Sequence, residues 1–158
     1  MLGPQGSFGY TGIGSITDNS ITHPITHIAM VAAGSGITPM LSIVKGVMQA
    51  NVFDSTKLSL INCNRSQAHV IAKTSLAPLH NMFPSRFQWL NILSEGSEGT
   101  EDEDVKPCIV GRLTREMLVE HLPPVSENVF VLHCGTPSFD EFVGLELRKL
   151  GYPLIHQF

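Results

Sequence analysis

Residues 27–40, H-I-A-M-V-A-A-G-S-G-I-T-P-M, decide the fold of this chain. The run from His27 to Ala33 is continuously apolar, contains β-branched residues and ends abruptly at Gly34. Such a run predicts a strand that is buried on both faces of a sheet. Residues 39–50 then carry apolar side chains at helical spacing, and Pro39 suits the first position of a helix. The stretch therefore predicts a strand, a glycine turn and a helix in immediate succession.

The alternation of strands and helices continues outward from this stretch. Further strands are predicted at residues 57–63, 86–93, 128–134 and, as a short last piece, within 153–158. Helices are predicted within 70–82, in two pieces because of Pro78, at 115–121 after Thr114, and from the S-x-x-E capping pattern at Ser138 to about Leu150, closed by Gly151. We therefore expect an α/β fold with a three-layer, Rossmann-like architecture. Its parallel sheet of about five strands would have helices on both faces.

The N-terminal segment, residues 1–20, has a different composition. It is rich in Gly, Ser and Thr, and its pattern predicts a turn and one short extended piece around residues 7–10. We accordingly divide the chain into residues 1–20, a preceding segment and linker, and residues 21–158, one α/β domain.

Composition excludes several classes of function. The chain has 158 residues, of which 42% are hydrophobic and 15% charged, so it can bury a sizeable core. No apolar stretch approaches the length of a membrane span, and no signal peptide is recognisable. The net charge of −4 argues against binding nucleic acid. Six of the acidic residues crowd into residues 95–104, which we expect to form a solvated loop.

The cysteines and histidines give no metal-ligand spacing. Cys63, Cys108 and Cys134 lie far apart, and neither C-x-x-C nor C-x-x-H occurs. We expect no metal site and no disulfide scaffold. The scattered cysteines suit a reducing compartment, and a cytoplasmic location is expected.

Two glycine turns end predicted strands. Gly34 and Gly36 allow a tight turn and a close approach of the backbone to a ligand, and the following helix N-terminus favours phosphate. Pro39 stands where the dinucleotide fingerprint has its third glycine, so phosphate binding and an ordinary tight turn both remain open. Cys134 and Gly135 end another predicted strand and should face the same cleft, where Cys134 either contacts a ligand or simply packs.

Five motifs in order resemble those of one known family. With the opening G-P-Q-G-S-F-G-Y at residues 3–10 and the terminal Phe158, they cover essentially the whole chain. The motifs are I-A-M-V-A-A-G-S-G-I-T-P-M-L, L-S-L-I-N-C-N-R-S, R-F-Q-W-L-N-I-L, E-M-L-V-E-H-L-P-P and V-L-H-C-G-T-P. The chain resembles the NAD(P)H-binding half of the ferredoxin-reductase superfamily, with greatest similarity to cytochrome b5 reductase and the reductase module of nitrate reductase.

The resemblance implies cofactors and partners. In this family a nicotinamide coenzyme delivers hydride to FAD, and electrons pass on to a haem or iron–sulfur partner, here a haem protein such as cytochrome b5. An FAD-binding β-barrel domain precedes the coenzyme domain and carries an R-x-Y-[ST] motif that this chain lacks. Residues 1–20, with Gly3, Pro4 and Gly6, would correspond to the end of that barrel and its linker. The isolated chain is then expected to bind a nucleotide weakly and to catalyse nothing.

The resemblance also implies roles for individual residues. Thr38, near the flavin, and Cys134, beside the nicotinamide C4, would be the catalytic positions, with no covalent role for the thiol. The coenzyme-binding residues implied are Gly34, Ser35, Gly36, Thr38, Pro39, Asn64, Arg65, Ser94, Cys134, Gly135, Pro137 and Phe158. Among them, Asn64 and Arg65 would lie on the adenosine side, and Phe158 could cover the flavin face.

Coenzyme preference and catalytic competence stay open at this point. Ser94 resembles the residue of NADPH-using relatives, whereas Glu95 is acidic where those relatives usually have Arg. NADH is favoured because a 2′-phosphate would meet Glu95 and the acidic segment, with Arg65 as its one obvious basic partner. The alternative reading is a non-catalytic nucleotide-binding module that lacks its FAD domain. A flavodoxin-like signalling domain would also alternate strands and helices, but it would not require glycine turns at both strand ends.

Overall fold

The computed structural model of the protein describes residues 8–50, 54–71, 73–95 and 107–158. Gly3, Pro4 and Gly6, and the acidic segment beyond Glu95, lie outside the described residues. In chain order the strands are β1 (Gly9–Tyr10), β2 (Ser15–Asp18), β3 (Ile21–Pro24), β4 (His27–Ala33), β5 (Lys57–Asn64), β6 (Phe87–Leu93), β7 (Cys108–Val110), β8 (Val129–Cys134) and β9 (Leu154–Gln157). The helices are α1 (Ile37–Ala50), α2 (Lys73–Met82), α3 (Arg115–His121) and α4 (Pro137–Leu150). None of these helices is long and apolar enough to cross a membrane.

The central sheet has six parallel strands in the order β7-β6-β5-β4-β8-β9. The predicted parallel α/β sheet is therefore confirmed, although the expected count of about five is one too low. The additional strand, β7, has only three residues and begins just beyond the acidic segment. So short a strand leaves no hydrophobic pattern that sequence analysis can detect.

Helices cover both faces of the sheet, as predicted. Side chains of β4 alternate between two buried clusters, because successive residues of a strand point to opposite faces. Met30 lies in the cluster that includes α1 and α2 residues such as Val44 and Leu76. Val31 lies in the other cluster, with α3 and α4 residues such as Leu147. The architecture has three layers.

Two predictions about helices are wrong. Helix α2 is continuous from Lys73 to Met82 and contains Pro78, which we expected to divide it. In a helix this short, proline removes one hydrogen bond, while burial of Leu76 and Leu79 holds the segment in place. Helix α4 begins at Pro137 rather than Ser138, because Thr136 is its N-cap and accepts a hydrogen bond from the Phe139 amide at 3.3 Å.

The N-terminal region forms a small antiparallel sheet of β1, β2 and β3. Sequence analysis predicted only one extended piece here, because the turn between β2 and β3 carries no Asn-Gly or Asp-Gly signal. Asn19 and Ser20 supply the two positive φ angles, 48° and 67°, that a two-residue hairpin turn needs. Ile16 of β2 is fully buried in the cluster that includes α1. The division at residue 20 stays a prediction, and β2 and β3 pair across it.

Ile16→Ala should lower the free energy of unfolding by about 2–4 kcal/mol, because it leaves a cavity in the cluster shared with α1. The control is Ile21→Ala, at a 61% exposed position of the same hairpin, which should cost less than about 0.5 kcal/mol. Urea unfolding of both variants measures the difference. Equal, small effects would show that the hairpin does not share the cooperative core.

Candidate functional site

The sheet has a topological switch point between β4 and β8. After β4 the chain moves to β5 on one side, whereas β8 lies on the other side of β4. The connections leaving β4 and β8 therefore diverge, and a crevice opens at the carboxyl ends of these two strands. In open α/β sheets, ligands bind in such a crevice. The predicted glycine turns, Gly34–Gly36 and the one after Cys134, both lie at this edge.

The two turns approach each other too closely for a side chain at Gly36. A Cβ built on Gly36 would overlap the carbonyl oxygen of Cys134 and lie 2.6 Å from its carbonyl carbon. Gly34 has a φ of +56°, a conformation that L side chains rarely adopt. These glycines let the end of β4 turn against the end of β8. Gly36 thus has a packing partner of its own, which sequence analysis did not identify.

A cavity of about 780 Å³ opens beside this contact. Four predicted site residues line it together, namely Gly34, Asn64, Arg65 and Ser94. The Asn64 side-chain amide is buried and has no hydrogen-bond partner among the described residues. Because a buried donor without a partner is costly, an acceptor that reached this nitrogen would stabilise it.

The outer part of this cavity carries an ion pair. Arg65 donates to both carboxylate oxygens of Glu95, at 3.0 and 3.2 Å, and both side chains are exposed. Arg112 also lines the cavity, and sequence analysis missed it because it follows the unrecognised strand β7. The cavity thus offers one neutralised guanidinium and a second one, Arg112, that forms no ion pair with a described carboxylate.

The remaining predicted residues lie beside this cavity rather than in its lining. Pro39 and Phe158 line a second, apolar cavity of about 560 Å³, together with Phe8 and Tyr10. Phe158 stands edge-on to Phe8, with 5.2 Å between ring centroids. Six other predicted residues line neither of these two cavities. They lie at the end of β8, on the turns that follow β4 and β8, and at the starts of α1 and α4, namely Ser35, Gly36, Thr38, Cys134, Gly135 and Pro137.

The Cys134 side chain is half-buried at the end of β8, across from Ala32. Burial raises the pKa of its thiol, and the nearby carboxylate of Asp140 raises it further. The thiol is therefore protonated at neutral pH and is a weak nucleophile. Cys63, on the next strand but one, is more deeply buried, which raises its pKa to about 12. These thiols are suited to packing and contact rather than to covalent chemistry.

A buried pair that sequence analysis did not predict lies behind Cys134. The ring of His133 contacts the carboxylate of Asp140, with 2.7 Å between His133 Nδ1 and Asp140 Oδ1. The other carboxylate oxygen accepts a hydrogen bond from the Gly135 amide at 3.2 Å. Asp140 attracted attention only as part of the capping pattern, and no local signal links it to a residue seven positions earlier.

The crevice fits a dinucleotide. It combines a glycine turn at a helix start, an unpartnered buried amide and a cavity large enough for a nucleotide. The second cavity, with aromatic side chains in its walls, is the kind of surface against which a flat ring system such as a flavin packs. Within the described residues, no group of three or more His, Cys, Asp or Glu side chains could hold a metal ion.

Comparison with known proteins agrees with this geometry. The family model of the oxidoreductase NAD-binding domain matches residues 30–144. The chain belongs to this family. Among curated members, NADH-cytochrome b5 reductase 2 of Danio rerio is 32% identical over 157 residues, which cover 95% of this chain and 48% of that protein. Nitrate reductase [NADH] 1 of Oryza sativa is 29% identical over 159 residues, covering all of this chain and 17% of the relative.

A solved structure confirms the fold of this oxidoreductase NAD-binding domain. The cytochrome b5 reductase domain of Ulva prolifera nitrate reductase superposes with a TM-score of 0.88 at 23% identity, covering 99% of this chain and 58% of that one. The chain spans about half the length of the cytochrome b5 reductases that it matches. The predicted similarity to cytochrome b5 reductase and to the reductase module of nitrate reductase is confirmed.

Gly36→Ala should destabilise the domain by about 1–3 kcal/mol, because the added methyl group overlaps the Cys134 carbonyl group and forces the two turns apart. Gly46→Ala is the control. It lies within α1 with open space around its Cβ position, and it should be neutral or stabilising by up to about 1 kcal/mol. Urea unfolding measures both. A Gly36→Ala variant as stable as the wild type would contradict the close contact.

Proposed function

We propose that this chain is the NADH-binding half of an FAD-dependent oxidoreductase that passes electrons to a haem protein such as cytochrome b5. The observation that carries the proposal is the nucleotide-sized cavity beside the β4–β8 switch point, which is lined by the glycine turn after β4, by Asn64 at the end of β5 and by the start of α4. The names of relatives such as NADH-cytochrome b5 reductase support the choice of coenzyme and acceptor. The three free cysteines support a reducing compartment such as the cytoplasm.

The chain's contribution to catalysis is to bind and orient. The Gly34–Gly36 turn and the start of α1 receive the pyrophosphate of the coenzyme, and Asn64 donates to its adenosine side. Ser94 and Arg65 flank the adenosine ribose. The protonated Cys134 and the turn at Gly135 hold the nicotinamide ring, with Pro137 starting the helix behind it.

FAD, when held by a neighbouring β-barrel domain, supplies the conversion of a two-electron donor into single-electron transfers. On this chain Thr38, Pro39 and Phe158 would face it. Thr38 is exposed at the start of α1, and Phe158 is 40% exposed at the end of the chain. Because hydride transfer depends on the alignment and separation of two stacked rings, none of these residues needs to act as a general base.

The preference for NADH over NADPH is proposed from the ion pair at the cavity rim. A 2′-phosphate beside Arg65 would meet the carboxylate that already neutralises it, at 3.0 Å. NADPH thus gains little from Arg65 and is repelled by Glu95. Arg112 remains in the lining as a second cation, so the preference is one of degree.

Glu95→Gln should raise the affinity for NADPH relative to NADH about three- to fivefold, because it frees Arg65 and removes one negative charge at an exposed site. Titrations with NADH and NADPH, followed by chemical shifts, measure the ratio. Glu127→Gln makes the same change of charge at the opposite edge of the sheet and should leave the ratio unaltered. An unchanged ratio in Glu95→Gln would place the 2′ position elsewhere.

Cys134→Ser should slow hydride transfer about tenfold in a reductase that joins this chain to an FAD-binding domain, with fold and flavin content retained. Serine is smaller and more strongly hydrated than the protonated thiol, so the ring is held less well. The control is Cys108→Ser on β7, away from the turn. Stopped-flow reduction of the flavin by NADH gives the rate. A normal rate would leave Cys134 with a packing role alone.

The same reductase distinguishes the alternative of a non-catalytic binding module. With an FAD-binding domain joined to it, the chain should support NADH oxidation by an artificial acceptor. By itself it should bind NADH and oxidise none. Binding without catalysis in both forms would favour the module.

A further inference from the structure

One buried carboxylate receives two hydrogen bonds at the junction of β8 and α4. Asp140 Oδ1 contacts His133 Nδ1 at 2.7 Å, and Asp140 Oδ2 accepts from the Gly135 amide at 3.2 Å. His133 is 2% exposed and Asp140 6% exposed. Asp140 lies in the first turn of α4, and both of its partners lie behind it in the chain, at the end of the strand. Its side chain therefore links the start of α4 to the end of β8 and to the turn that joins them.

A carboxylate supplies two acceptor atoms to this contact. Ionised aspartate has only acceptor oxygens, so Nδ1 is the protonated nitrogen of the His133 ring, and both neighbours donate. Asparagine has nearly the same shape but presents one acceptor and one donor. Asparagine can keep both contacts if the His133 ring changes tautomer, so that Nδ1 accepts from the asparagine NH2 group, whereas alanine removes both contacts.

The peptide that joins Cys134 and Gly135 is held from three directions. Asp140 holds the Gly135 amide. Gly36 packs directly against the Cys134 carbonyl group, and a Cβ on Gly135 would lie 3.0 Å from the Phe139 ring atom Cγ. Two of these contacts are steric and limit how close the turn can come. Asp140 supplies the directed attraction, so it determines where the turn rests against the crevice.

We propose that Asp140, through His133 and the Gly135 amide, is a positioning residue for the nicotinamide half of the coenzyme. It lines neither cavity and touches no ligand. It acts by holding Cys134 and Gly135 in the conformation that receives the ring. The cavity for the adenosine half is lined by Asn64 and Arg65 at the end of β5 and also by Thr136, Ser138 and Phe139 at the start of α4, so loss of the Asp140 contact should affect the adenosine half less than the nicotinamide half without leaving it untouched. The proposal rests on the proposed function, because it presupposes that the crevice binds NADH.

The experiment compares two nucleotides on two variants of the full chain. NADH occupies both halves of the site, whereas ADP lacks the nicotinamide. Asp140→Ala, which removes both hydrogen bonds, should weaken NADH binding about tenfold and ADP binding less than about threefold. Glu141→Gln removes a charge from an exposed neighbour on the same helix and should change neither affinity. Equal weakening of NADH and ADP, or no weakening of either, would overturn the positioning role.

A spectroscopic measurement on the wild type keeps the proposal testable if Asp140→Ala fails to fold. The ring nitrogens of His133 should show a protonated Nδ1, and the Gly135 amide should exchange slowly with solvent. An unprotonated Nδ1 or a fast-exchanging Gly135 amide would overturn the proposal. Failure of the wild type to bind NADH would instead overturn the proposed function. NADH binding by the wild type without a selective loss in Asp140→Ala would overturn the positioning role alone.

Discussion

The contact between the Gly36 turn and the carbonyl group of Cys134 is the constraint on which the rest of the site depends. Strands β4 and β8 are neighbours in register, with Ala32 beside Cys134. The first residues after the two strands therefore lie side by side before the connections diverge. A tight glycine turn on one side and a turn pinned by Asp140 on the other make that possible. The crevice, the start of α1 and the start of α4 all take their positions from this contact.

Two cavities of different character lie near the residues that follow β4. One is the cavity with the asparagine amide, two arginines and a carboxylate at its rim, which suits a charged nucleotide. The other is the apolar cavity between Pro39 and Phe158, which suits a flat ring. Cys134 and Thr38 lie on the segments between them. Under the proposed function, a hydride donor held on one side and its acceptor on the other would meet at this boundary, where the transfer depends on the alignment of the two rings.

Most of the fold could be predicted because its strands are buried on both faces. A run such as His27–Ala33 needs no alternation to be recognised, and the glycine turn that follows it has few other structural explanations. Strand β7 and the N-terminal hairpin were not predicted because their strands are only two to four residues long. The predicted break at Pro78 was wrong because burial of Leu76 and Leu79 outweighs the cost of a proline inside the helix. At α4, Thr136 and Ser138 are both good caps, and the proline between them selects the first.

The candidate site was predicted in part for a related reason. Residues at or just beyond strand ends, such as Gly34, Asn64 and Ser94, share the cavity because parallel strands end at one edge. Asp140 and Arg112 could not be found in this way. Asp140, in the first turn of α4, contacts residues at the end of the preceding strand, and Arg112 follows the unrecognised strand β7. Partners in space that lie on different elements leave no periodic trace in a single sequence.

The most direct test of the account is a titration of the isolated chain with NADH, followed by backbone amide chemical shifts. The account predicts chemical-shift changes concentrated at residues 34–38 and 134–137, on the two sides of the β4–β8 crevice, and at Asn64 at the end of β5. Chemical-shift changes confined to the amino ends of the strands, or no changes at millimolar NADH, would contradict the account.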